Sequence, residues 1–577
     1  MKHLFTILFT IIVTCLHAQQ YNWAFKIAST TGDRGMRITS DINGDLITTG
    51  YFGGTADFDP SSATSNLSVS GSGSFKDVYL SKYATSGNLK WAISFGGSDN
   101  DYPFALATDK TGSIYVGGDY TGTMHMNQTF QTGTFINSAG GRDGYVAKYD
   151  ANGTFVWVIP IGGTGKDIVH GLATDEDDNI YVTGYFGGTV DFDPSSAVFN
   201  LISNGGRDIF LAKYDATGKF KWAFNMGGTM STAYEEGGQD LVVRGNEIYL
   251  TGNFEGNVDF NPSNTLENKV QSNGLLDIFL AKYDTAGNYI WAIGAGCSGK
   301  HDFSFGVDVD ASGNAYITGG FEQTVDFDPN GGVAQLTAPS NARDIFVAKY
   351  TGDGAYVWAF QIGGSSVVHE DGFDIDVAGS DLYLTGSFWG PADFDPSQAT
   401  ATRGVSNNQA FVAKYTTDGT FRWAFDIGST SVTGPADNGF GIVADNNGSV
   451  FVTGDFYGNA DFDPHPVANV SLSGGNTGQA FIASYNGSVS LSASGNSDAL
   501  KVNLYPNPAN AYINIDAGEK DIESLQVVTS TGELLYSIGA VNNQQTFIDI
   551  QNYKQGIYFL KVKCKDHSEG KFKFVVY

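Results

Sequence analysis

Apolar and polar positions alternate with a period of two over most of the chain, and the alternation repeats between residues 21 and 486. One copy contains four apolar runs, at residues 170–174, 180–186, 209–214 and 220–225, and turns such as Asp215 to Gly218 separate them. Period-two alternation broken by Asp and Gly predicts β-strands joined by tight hairpins. Since no window shows sustained helical periodicity, we predict an all-β fold.

A tyrosine and a tryptophan mark each copy and are always eight residues apart, although the copies are spaced by 65 to 69 residues. The pairs are Tyr83/Trp91, Tyr149/Trp157, Tyr214/Trp222, Tyr283/Trp291, Tyr350/Trp358 and Tyr415/Trp423. A fixed local spacing inside a variable repeat length indicates one structural unit with insertions confined to loops. We interpret the pairs as packing between neighbouring copies, because each copy must bury its faces against the next.

Four antiparallel strands per copy predict the blade of a β-propeller, and counting the strands predicts seven blades. The Trp23 strand lacks a preceding partner, and the run ending at Tyr485 lacks a following Trp strand. We therefore predict that the N-terminal strand completes the last blade and closes the ring, which removes an open sheet edge. The propeller spans 19–486, a small, polar linker spans 487–500, and alternating runs in 501–577 predict a small C-terminal β-sandwich.

Residues 1–18 have the pattern of a secretory signal peptide. Lys2 precedes an apolar run at residues 4–16, and Ala18 offers a small residue for cleavage. The run is too short to span a bilayer comfortably, and no other run approaches that length. We expect no transmembrane span in the mature chain.

Composition and charge narrow the range of partners. The chain has 75 glycines, 14% aromatic residues and only 16% charged residues, which suits short strands and tight turns rather than disorder. Its formal net charge of -29 repels phosphates and anionic lipid, so we expect no nucleic acid partner. Cationic partners, divalent cations and neutral glycans remain compatible with this charge.

An acidic residue precedes the first strand of every copy, where propeller strands line the central channel. A ring of carboxylates at the channel mouth would capture a cation or a cationic ligand, whereas separate carboxylates would each cap their own loop. Because every copy has the acid, capping is the favoured interpretation. The candidate ligand-binding residues are Asp33, Asp101, Asp167, Glu235 (or its neighbour Glu236), Asp302, Glu370 and Asp437.

The tetrapeptide DFDP lies between the second and third strands of most copies. Its two carboxylates point to one side and its Phe to the other, so the motif can offer oxygen ligands to calcium or bind loop amides around a Phe plug. The candidate metal ligands are Asp57 and Asp59, Asp191 and Asp193, Asp326 and Asp328, Asp393 and Asp395, and Asp461 and Asp463. Asp259 pairs with Asn261 in the fourth copy, and His125-Met126-Asn127 replaces the motif in the second.

Trp389 lies outside the repeat register, where other copies have Gly after Tyr-Phe, and is a candidate ligand contact. Calcium is the only cofactor that the sequence suggests.

The repeated wording DIFLAKYDATGKFKWAF, GLATD and IYVTGYF resembles the bacterial β-propeller repeats called SBBP repeats, over residues 21–486. The DFDP insertion departs from that pattern and lengthens each blade. The resemblance implies a secreted or surface propeller and no single activity.

The C-terminal segment resembles a type A sorting domain of the type IX secretion system. The matching residues are Leu504-Tyr505-Pro506-Asn507-Pro508, Thr531-Gly532-Glu533-Leu534-Leu535, Gly556-Ile557-Tyr558-Phe559-Leu560-Lys561-Val562 and Lys571-Phe572-Lys573-Phe574-Val575-Val576. This implies export across the outer membrane of a Gram-negative bacterium, with the secretion machinery as a partner and release or surface attachment as the outcome.

We expect a non-catalytic binding protein at the cell surface, with a glycan or a protein as its ligand. One alternative is a polysaccharide hydrolase or lyase that uses carboxylates and histidines near the channel mouth. Another is a structural envelope protein stabilised by calcium. No catalytic residue is assigned.

Overall fold

A computed structural model describes residues 20–576 apart from short gaps. The gaps are 28, 30, 72–74, 128–132, 229–235, 264, 340–341, 365–368, 405–407, 430–435, 446, 465–469, 487–501, 506–511, 519, 530–533, 552, 555 and 567. The predicted signal peptide and linker therefore lie outside the described residues. The described residues form strands and turns without a helix, which confirms the all-β prediction. The chain divides into two compact units between residues 489 and 490.

The first unit contains seven groups of four antiparallel strands, called sheets 1 to 7 in chain order. The first strands are Arg34–Ser40, Tyr102–Thr108, Ile168–Thr174, Gly237–Arg244, Phe303–Val309, Asp371–Ala378 and Asn438–Ala444. The second strands are Leu46–Gly53, Ile114–Tyr120, Ile180–Asp191, Glu247–Phe254, Ala315–Glu322, Asp381–Trp389 and Ser449–Asp461.

The third strands run antiparallel to the second. They are Lys76–Tyr83, Asp143–Tyr149, Asn200–Tyr214, Asp277–Asp284, Arg343–Tyr350, Asn408–Thr416 and Ser471–Asn486. The fourth strands of sheets 1 to 6 are Leu89–Gly97, Phe155–Ile161, Phe220–Met226, Tyr289–Ala295, Tyr356–Gly364 and Phe421–Ser429. Gln20–Ile27 is the fourth strand of sheet 7 and pairs with Ser471–Asn486, so that Ile27 opposes Ala480.

A short hairpin carrying the DFDP segment is inserted between the second and third strands. Its separate strands are Thr55–Asp57 with Asn66–Ser68, Thr123–His125 with Phe135–Asn137, Asn257–Asp259 with Lys269–Gln271, Thr324–Asp326 with Gln335–Thr337 and Ala392–Asp393 with Thr402–Arg403. In sheets 3 and 7 it is the continuation of the long second and third strands. The chain enters every hairpin through a left-handed residue with φ between 54° and 77°, and only Gln323 among these seven is not glycine.

The hairpins also connect neighbouring sheets. Ala392 pairs with Gly364 at the end of sheet 5, and Met124 pairs with Gly97 at the end of sheet 1. The insertion therefore adds backbone pairing across the boundary between consecutive sheets.

The Tyr and Trp of each repeat pack as predicted. The Trp157 indole N–H of sheet 2 donates to Ala216 O in the turn of sheet 3, at 3.3 Å. A Cβ on Gly218, which has a left-handed φ of 82°, would lie 3.2 Å from that indole ring. Tyr214 is buried and its hydroxyl donates to Phe192 O at 2.9 Å. The pairs are therefore part of the packing between neighbouring sheets.

The second unit has two antiparallel sheets around one core. The larger orders Leu534–Asn543, Ile522–Thr529, Gly556–Cys564 and Glu569–Val576, and the smaller orders Asn503–Tyr505, Tyr512–Asp516 and Gln545–Asp549. Ile513 and Ile548 of one sheet pack in the same core as Leu525 and Leu560 of the other. Residues 506–508 of the Leu504 to Pro508 motif lie outside the described residues. Among the residues that the structure describes, we find no apolar helix of membrane-spanning length.

Candidate functional site

The acids that precede the first strands are buried. Glu235 lies outside the described residues, and Glu236 holds the aligned position. The described members, which are 0 to 6% exposed, are Asp33, Asp101, Asp167, Glu236, Asp302, Glu370 and Asp437.

These acids bind main-chain N–H groups of their own loops. Asp167 accepts from Gly163 N at 2.8 Å and from Gly187 N at 2.9 Å, directly before the Gly188 bend of the second strand. Asp302 accepts in the same way from Cys297 N at 2.7 Å and Glu322 N at 2.8 Å. Asp167 and Asp302 therefore each tie the loop between two sheets to a second strand, which is the geometry of a loop cap.

A second set of acids, which sequence reasoning missed, lies beside the first. These lie directly before the IFLAKY-like part of the third strands and are Asp77, Asp143, Asp208, Asp277 and Asp344, while Gln409 and Gln479 hold the position in sheets 6 and 7. The signal was present, because the residue before the IFLAKY-like run is Asp in five copies and Gln in two.

Burial raises the pKa of several acids in each set. It raises the pKa of Asp77 and of Asp167 to about 6, and that of Asp277 to about 7. Burial, and next the Asp344 carboxylate, raises the pKa of Glu370 to about 8. A buried carboxyl group holds its proton more tightly because the low-dielectric interior disfavours the charged form.

The DFDP carboxylates close turns within the inserted hairpins. Asp191 Oδ1 accepts from Asp193 N at 3.1 Å and from Phe199 N at 2.8 Å, and Asp193 Oδ1 accepts from Ser195 N at 2.9 Å. The same bonds recur at Asp57 and Asp59, Asp326 and Asp328, and Asp393 and Asp395, and Asp461 keeps both of its bonds.

Phe192 is 1% exposed and packs against Phe186 and Phe210 with ring centroids 5.6 and 5.0 Å away. Within the described residues, no three His, Cys, Asp or Glu side chains are grouped to hold a metal. The hairpin therefore shows the geometry of a Phe plug with Asp-capped turns.

The two positions that depart from the repeat, at Met126 and at Trp389, differ in burial and in contacts. In the second copy, Met126 is 1% exposed and its carbonyl accepts the Tyr149 hydroxyl at 3.2 Å, so it replaces the DFDP phenylalanine. Trp389 ends the second strand of sheet 6 and is half-buried. Its backbone pairs with Asn408, and it lies at the strand end that faces the Glu370 loop.

A β-bulge recurs at one register in every first strand and forms a feature that we did not predict. In sheet 6, Gly372 opposes Gly386 and Asp374 opposes Thr385, which leaves Phe373 unpaired. The seven bulged residues, called the bulge ring, are Met36, Phe104, His170, Gln239, Phe305, Phe373 and Phe440.

The bulge ring presents aromatic surface. All of its members except Met36 are half-buried. The rings of Phe373 and Phe440 are 5.0 Å apart between centroids, those of Phe305 and Phe373 are 5.5 Å apart, and Phe104 stacks on His170 at 5.1 Å. A bulge turns a side chain away from the pleat, and here it directs aromatic side chains of neighbouring sheets toward one another.

A cavity of about 140 Å³ lies among the first strands. Its walls include His170 of the bulge ring, Arg37, Asp240, Asp374 and Asp376. We call it the central cavity. Its carboxylates were missed because aspartate occupies these positions in only some copies.

The central carboxylates link neighbouring first strands. Asp240 accepts from Val307 N at 3.0 Å and Asp374 from Ile442 N at 2.8 Å, each in the next sheet. Burial, and next the Asp374 carboxylate, raises the pKa of Asp240 to about 7, while burial raises that of Asp374 to about 6 against the influence of Arg37. The pKa values are raised mainly because burial disfavours the charged form, and Arg37 opposes this effect at both carboxyl groups.

Comparison with known proteins identifies two parts of the chain. Residues 503–577 match the family model of the secretion system C-terminal sorting domain, and residues 156–185 match the beta-propeller repeat SBBP. Both resemblances seen in the sequence are confirmed. The sorting domain indicates export by type IX secretion to the cell surface or outside the cell.

Two curated relatives align with the chain. An uncharacterized WD repeat-containing protein of Acanthamoeba polyphaga mimivirus is 25% identical over 511 residues, covering 75% of this chain and 36% of that protein. The regulatory protein FlaEY of Caulobacter vibrioides is 28% identical over 208 residues, covering 34% of this chain and 20% of that protein. The chain therefore spans about a third and a fifth of the lengths of these relatives.

Among solved structures, the extracellular domain of a hybrid two-component system from B. thetaiotaomicron aligns with 94% of this chain and 84% of its own length. The identity is 11% and the TM-score is 0.15, which is too low to carry an argument about the fold.

Proposed function

We propose that this chain, a beta-propeller repeat protein with a type IX secretion sorting domain, is a surface-attached or released binding protein whose ligand presents a cationic group. The bulge ring, whose His170 lines the acidic central cavity, carries this proposal. The proposal includes a signal peptide at 1–18, a propeller at 19–486, a linker at 487–500 and a sorting domain at 501–577.

A closed ring of seven blades is part of the proposal, and contacts between sheets 7 and 1 support it. The Trp23 indole N–H of sheet 7 donates to Thr85 O of sheet 1 at 3.0 Å, which repeats the contact of Trp91, Trp157 and Trp291 with the following sheet. Arg37 of sheet 1 donates to Phe440 O of sheet 7 at 3.1 Å. Together with the N-terminal strand in sheet 7, these contacts suit a ring without an open edge.

The bulge ring suits the apolar stem and positive head of a lysine or arginine side chain. Aromatic faces attract cations by about 0.5–2 kcal/mol, depending on how far the cation is desolvated. Asp240 and Asp374 behind the rings would offer the opposite charge. The cavity of about 140 Å³ admits an extended side chain but not a sugar chain, which favours a protein or peptide ligand over a glycan.

The charge of the whole chain supports the same ligand class. A net charge of -29 attracts cationic partners at long range and raises their association rate at low salt. Nucleic acid is disfavoured on the same ground.

The enzyme alternative requires a carboxyl group free to exchange a proton with a substrate. Asp240 already accepts from Val307 N and from Leu241 N, at 3.0 and 2.9 Å. Asp374 likewise accepts from Ile442 N and Ile375 N, at 2.8 and 2.9 Å. These bonds favour a binding role for the carboxylates.

Binding is tested by calorimetry on the full chain with a short lysine-containing peptide, the same peptide acetylated on its lysines, and a neutral oligosaccharide. We expect the unmodified peptide to bind and the variant Asp374→Asn to weaken it about tenfold, a loss of about 1.4 kcal/mol. Val357→Ala is the control, because Val357 lies on a fourth strand with 42% of its surface exposed.

Equal binding of the acetylated and unmodified peptides would contradict the proposal. Binding of the oligosaccharide alone would identify the ligand as a glycan.

Export is tested by deleting residues 501–577. We expect the truncated chain to accumulate in the periplasm, and its normal display at the surface would refute the role of the tail.

A further inference from the structure

Acidic residues of neighbouring sheets lie side by side at five of the seven boundaries. We call them the acid pairs: Asp77 with Asp101, Asp143 with Asp167, Asp208 with Glu236, Asp277 with Asp302, and Asp344 with Glu370. A backbone hydrogen bond holds the two acids of a pair next to each other. In the first pair, Asp101 N donates to the carbonyl oxygen of Lys76, the residue before Asp77, at 2.9 Å. Asp167, Asp302 and Glu370 repeat this bond to the residue before their partner, at 2.8, 2.7 and 2.9 Å.

The two carboxyl groups of the first acid pair both lie beside Gly96. A Cβ placed on Gly96 would lie 2.5 Å from Asp77 Oδ1 and 3.0 Å from Asp101 Oδ2, so both carboxyl groups reach the same point. The glycines in the GG segments that follow the Trp strands lie similarly close to the third-strand acid, as at Gly162 beside Asp143. These glycines provide space for a carboxyl group in addition to forming turns.

In the first acid pair, hydrogen-bond donors satisfy one carboxyl group only in part. Asp77 Oδ2 accepts from Ser70 N and Ser70 Oγ, both at 2.7 Å, and Asp101 Oδ2 accepts from Gly97 N at 2.8 Å. Asp77 Oδ1 is buried without a hydrogen-bond partner among the described residues, and both side chains are 0% exposed. An unpaired buried carboxylate oxygen is strongly unfavourable, so a pair that contains one needs something positive between its members.

We propose that each acid pair binds one proton that its two carboxyl groups share in the folded chain. A metal ion would require about four to eight ligands, whereas a pair offers two carboxyl groups and no third ligating side chain is grouped with them in the described residues. One proton converts two repelling carboxylates into a hydrogen-bonded acid and its acceptor.

The other groups around the first acid pair do not supply this positive charge. Arg142 forms its ion pair with Asp119, and Lys76 donates to Gly32 O at 2.6 Å. The remaining titratable groups that face Asp101 are Asp119 and the hydroxyls of Tyr102, Tyr120 and Tyr145.

Sheets 6 and 7 provide a comparison within the chain. Gln409 lies beside Asp437, where a Cβ on Gly428 would be 2.9 Å from each side chain. Gln479 donates to Gly478 O at 2.8 Å, and Asp33 N bonds that same carbonyl at 3.2 Å. The side-chain amide of each glutamine carries two N–H donors, so the boundary between sheets 6 and 7 and that between sheets 7 and 1 need no shared proton.

The sign of the pH effect follows from the raised pKa values. Burial raises the pKa of Asp77 from 3.8 to about 6, so the folded chain binds this proton more tightly than the unfolded chain. The stabilisation is complete below the unfolded pKa and is lost as pH rises through the folded pKa. A rise of about two units corresponds to about a 100-fold change in the folding equilibrium for one group.

The experiment measures urea unfolding of the full chain by tryptophan fluorescence between about pH 5 and about pH 8. We expect the wild-type midpoint to fall across this range. Asp77→Asn, which carries a hydrogen at every pH, should match wild type near pH 5 and exceed it near pH 8. Gln409→Glu should add an acid pair and steepen the fall. The infrared C=O band of protonated carboxyl groups should persist in the folded wild-type chain at neutral pH.

A wild-type midpoint that does not change with pH would overturn the proposal, as would absence of the infrared band at neutral pH. The infrared measurement needs no variant and so remains decisive if Asp77→Asn fails to fold. A midpoint near pH 8 that drops in excess chelator would assign the pairs to a metal and would also overturn it.

Discussion

Replacing Phe192 by alanine separates the two interpretations of the DFDP motif. Phe192 is 1% exposed and contacts Phe186 and Phe210, and its carbonyl accepts the Tyr214 hydroxyl at 2.9 Å. If the motif is a plug, its apolar side chain supplies the stability. If the motif binds calcium, the two carboxylates supply it.

The expected magnitude follows from burial and packing. Removing a fully buried phenylalanine forfeits about 1.5–3 kcal/mol of transfer free energy, and the cavity left behind brings the total to about 3–5 kcal/mol. Asp191→Asn should cost about 1 kcal/mol or less, because the amide oxygen can still accept the two N–H bonds of the turn.

The assay is urea unfolding followed by tryptophan fluorescence. All eight tryptophans lie between residues 23 and 423, so the signal reports the repeat unit and not the C-terminal unit. Val198→Ala is the matched control, because Val198 lies in the same hairpin and is 69% exposed. We expect Phe192→Ala alone to lower the midpoint strongly, and excess chelator to leave the wild-type midpoint unchanged.

The reasoning is refuted if Asp191→Asn costs as much as Phe192→Ala, or if chelator lowers the wild-type midpoint to that of Asp191→Asn. Either result would give the carboxylates of the hairpin a role as calcium ligands.

Two further substitutions test the hairpin at other positions. Gln323→Gly should raise the free energy of unfolding by up to about 1 kcal/mol, because Gln323 has a φ of 54° that glycine adopts without strain. Gly256→Ala, at the equivalent bend, should lower it, and a fall for Gln323→Gly together with a rise for Gly256→Ala would show that bend strain is not the cause. Tyr283→Phe removes a buried hydroxyl that donates to Phe260 O at 2.8 Å. It should cost about 1–2 kcal/mol in the same unfolding assay, and a neutral result would mean that water replaces the hydroxyl.

The strands were predictable because each carries its own local signal. The run at 220–225 was predicted from its alternation, and the strand observed is Phe220–Met226. The second strand was predicted at 180–186 but continues to Asp191, since Gly188 bends the backbone without ending the pairing. Glycine ordinarily indicates a strand end, so the extension into the hairpin could not be read from the sequence.

The bulge ring could not be predicted from the period-two alternation that predicted the strands, because a bulge interrupts that alternation. Phe373 opposes no residue of the second strand, and one unpaired residue shifts the alternation of the first strand by one position. The run at 170–174 of the third copy is therefore mostly small or apolar in sequence. Its alternation does not indicate that the His170 side chain is only half-buried.

The acid pairs depend on contacts between sheets, which no local pattern reports. Asp101 is found by aligning the copies, but its partner Asp77 belongs to the preceding sheet and carries no motif that links the two. Gly162 makes room for the Asp143 carboxyl group, which the sequence around it does not indicate. Only packing of one sheet on the next brings these residues together.

The pairing of Gln20–Ile27 with Ser471–Asn486 sets an order of events for a chain that emerges from its N-terminus. The strand Gln20–Ile27 emerges first and has no hydrogen-bonding neighbour until nearly all the repeats have been synthesised. During that interval both the waiting strand and the third strand of sheet 7 present unpaired edges, which are prone to associate with other chains. Closing so long a loop is also slow. A chaperone that holds residues 20–27 during synthesis would therefore protect this protein more than one that holds any internal repeat.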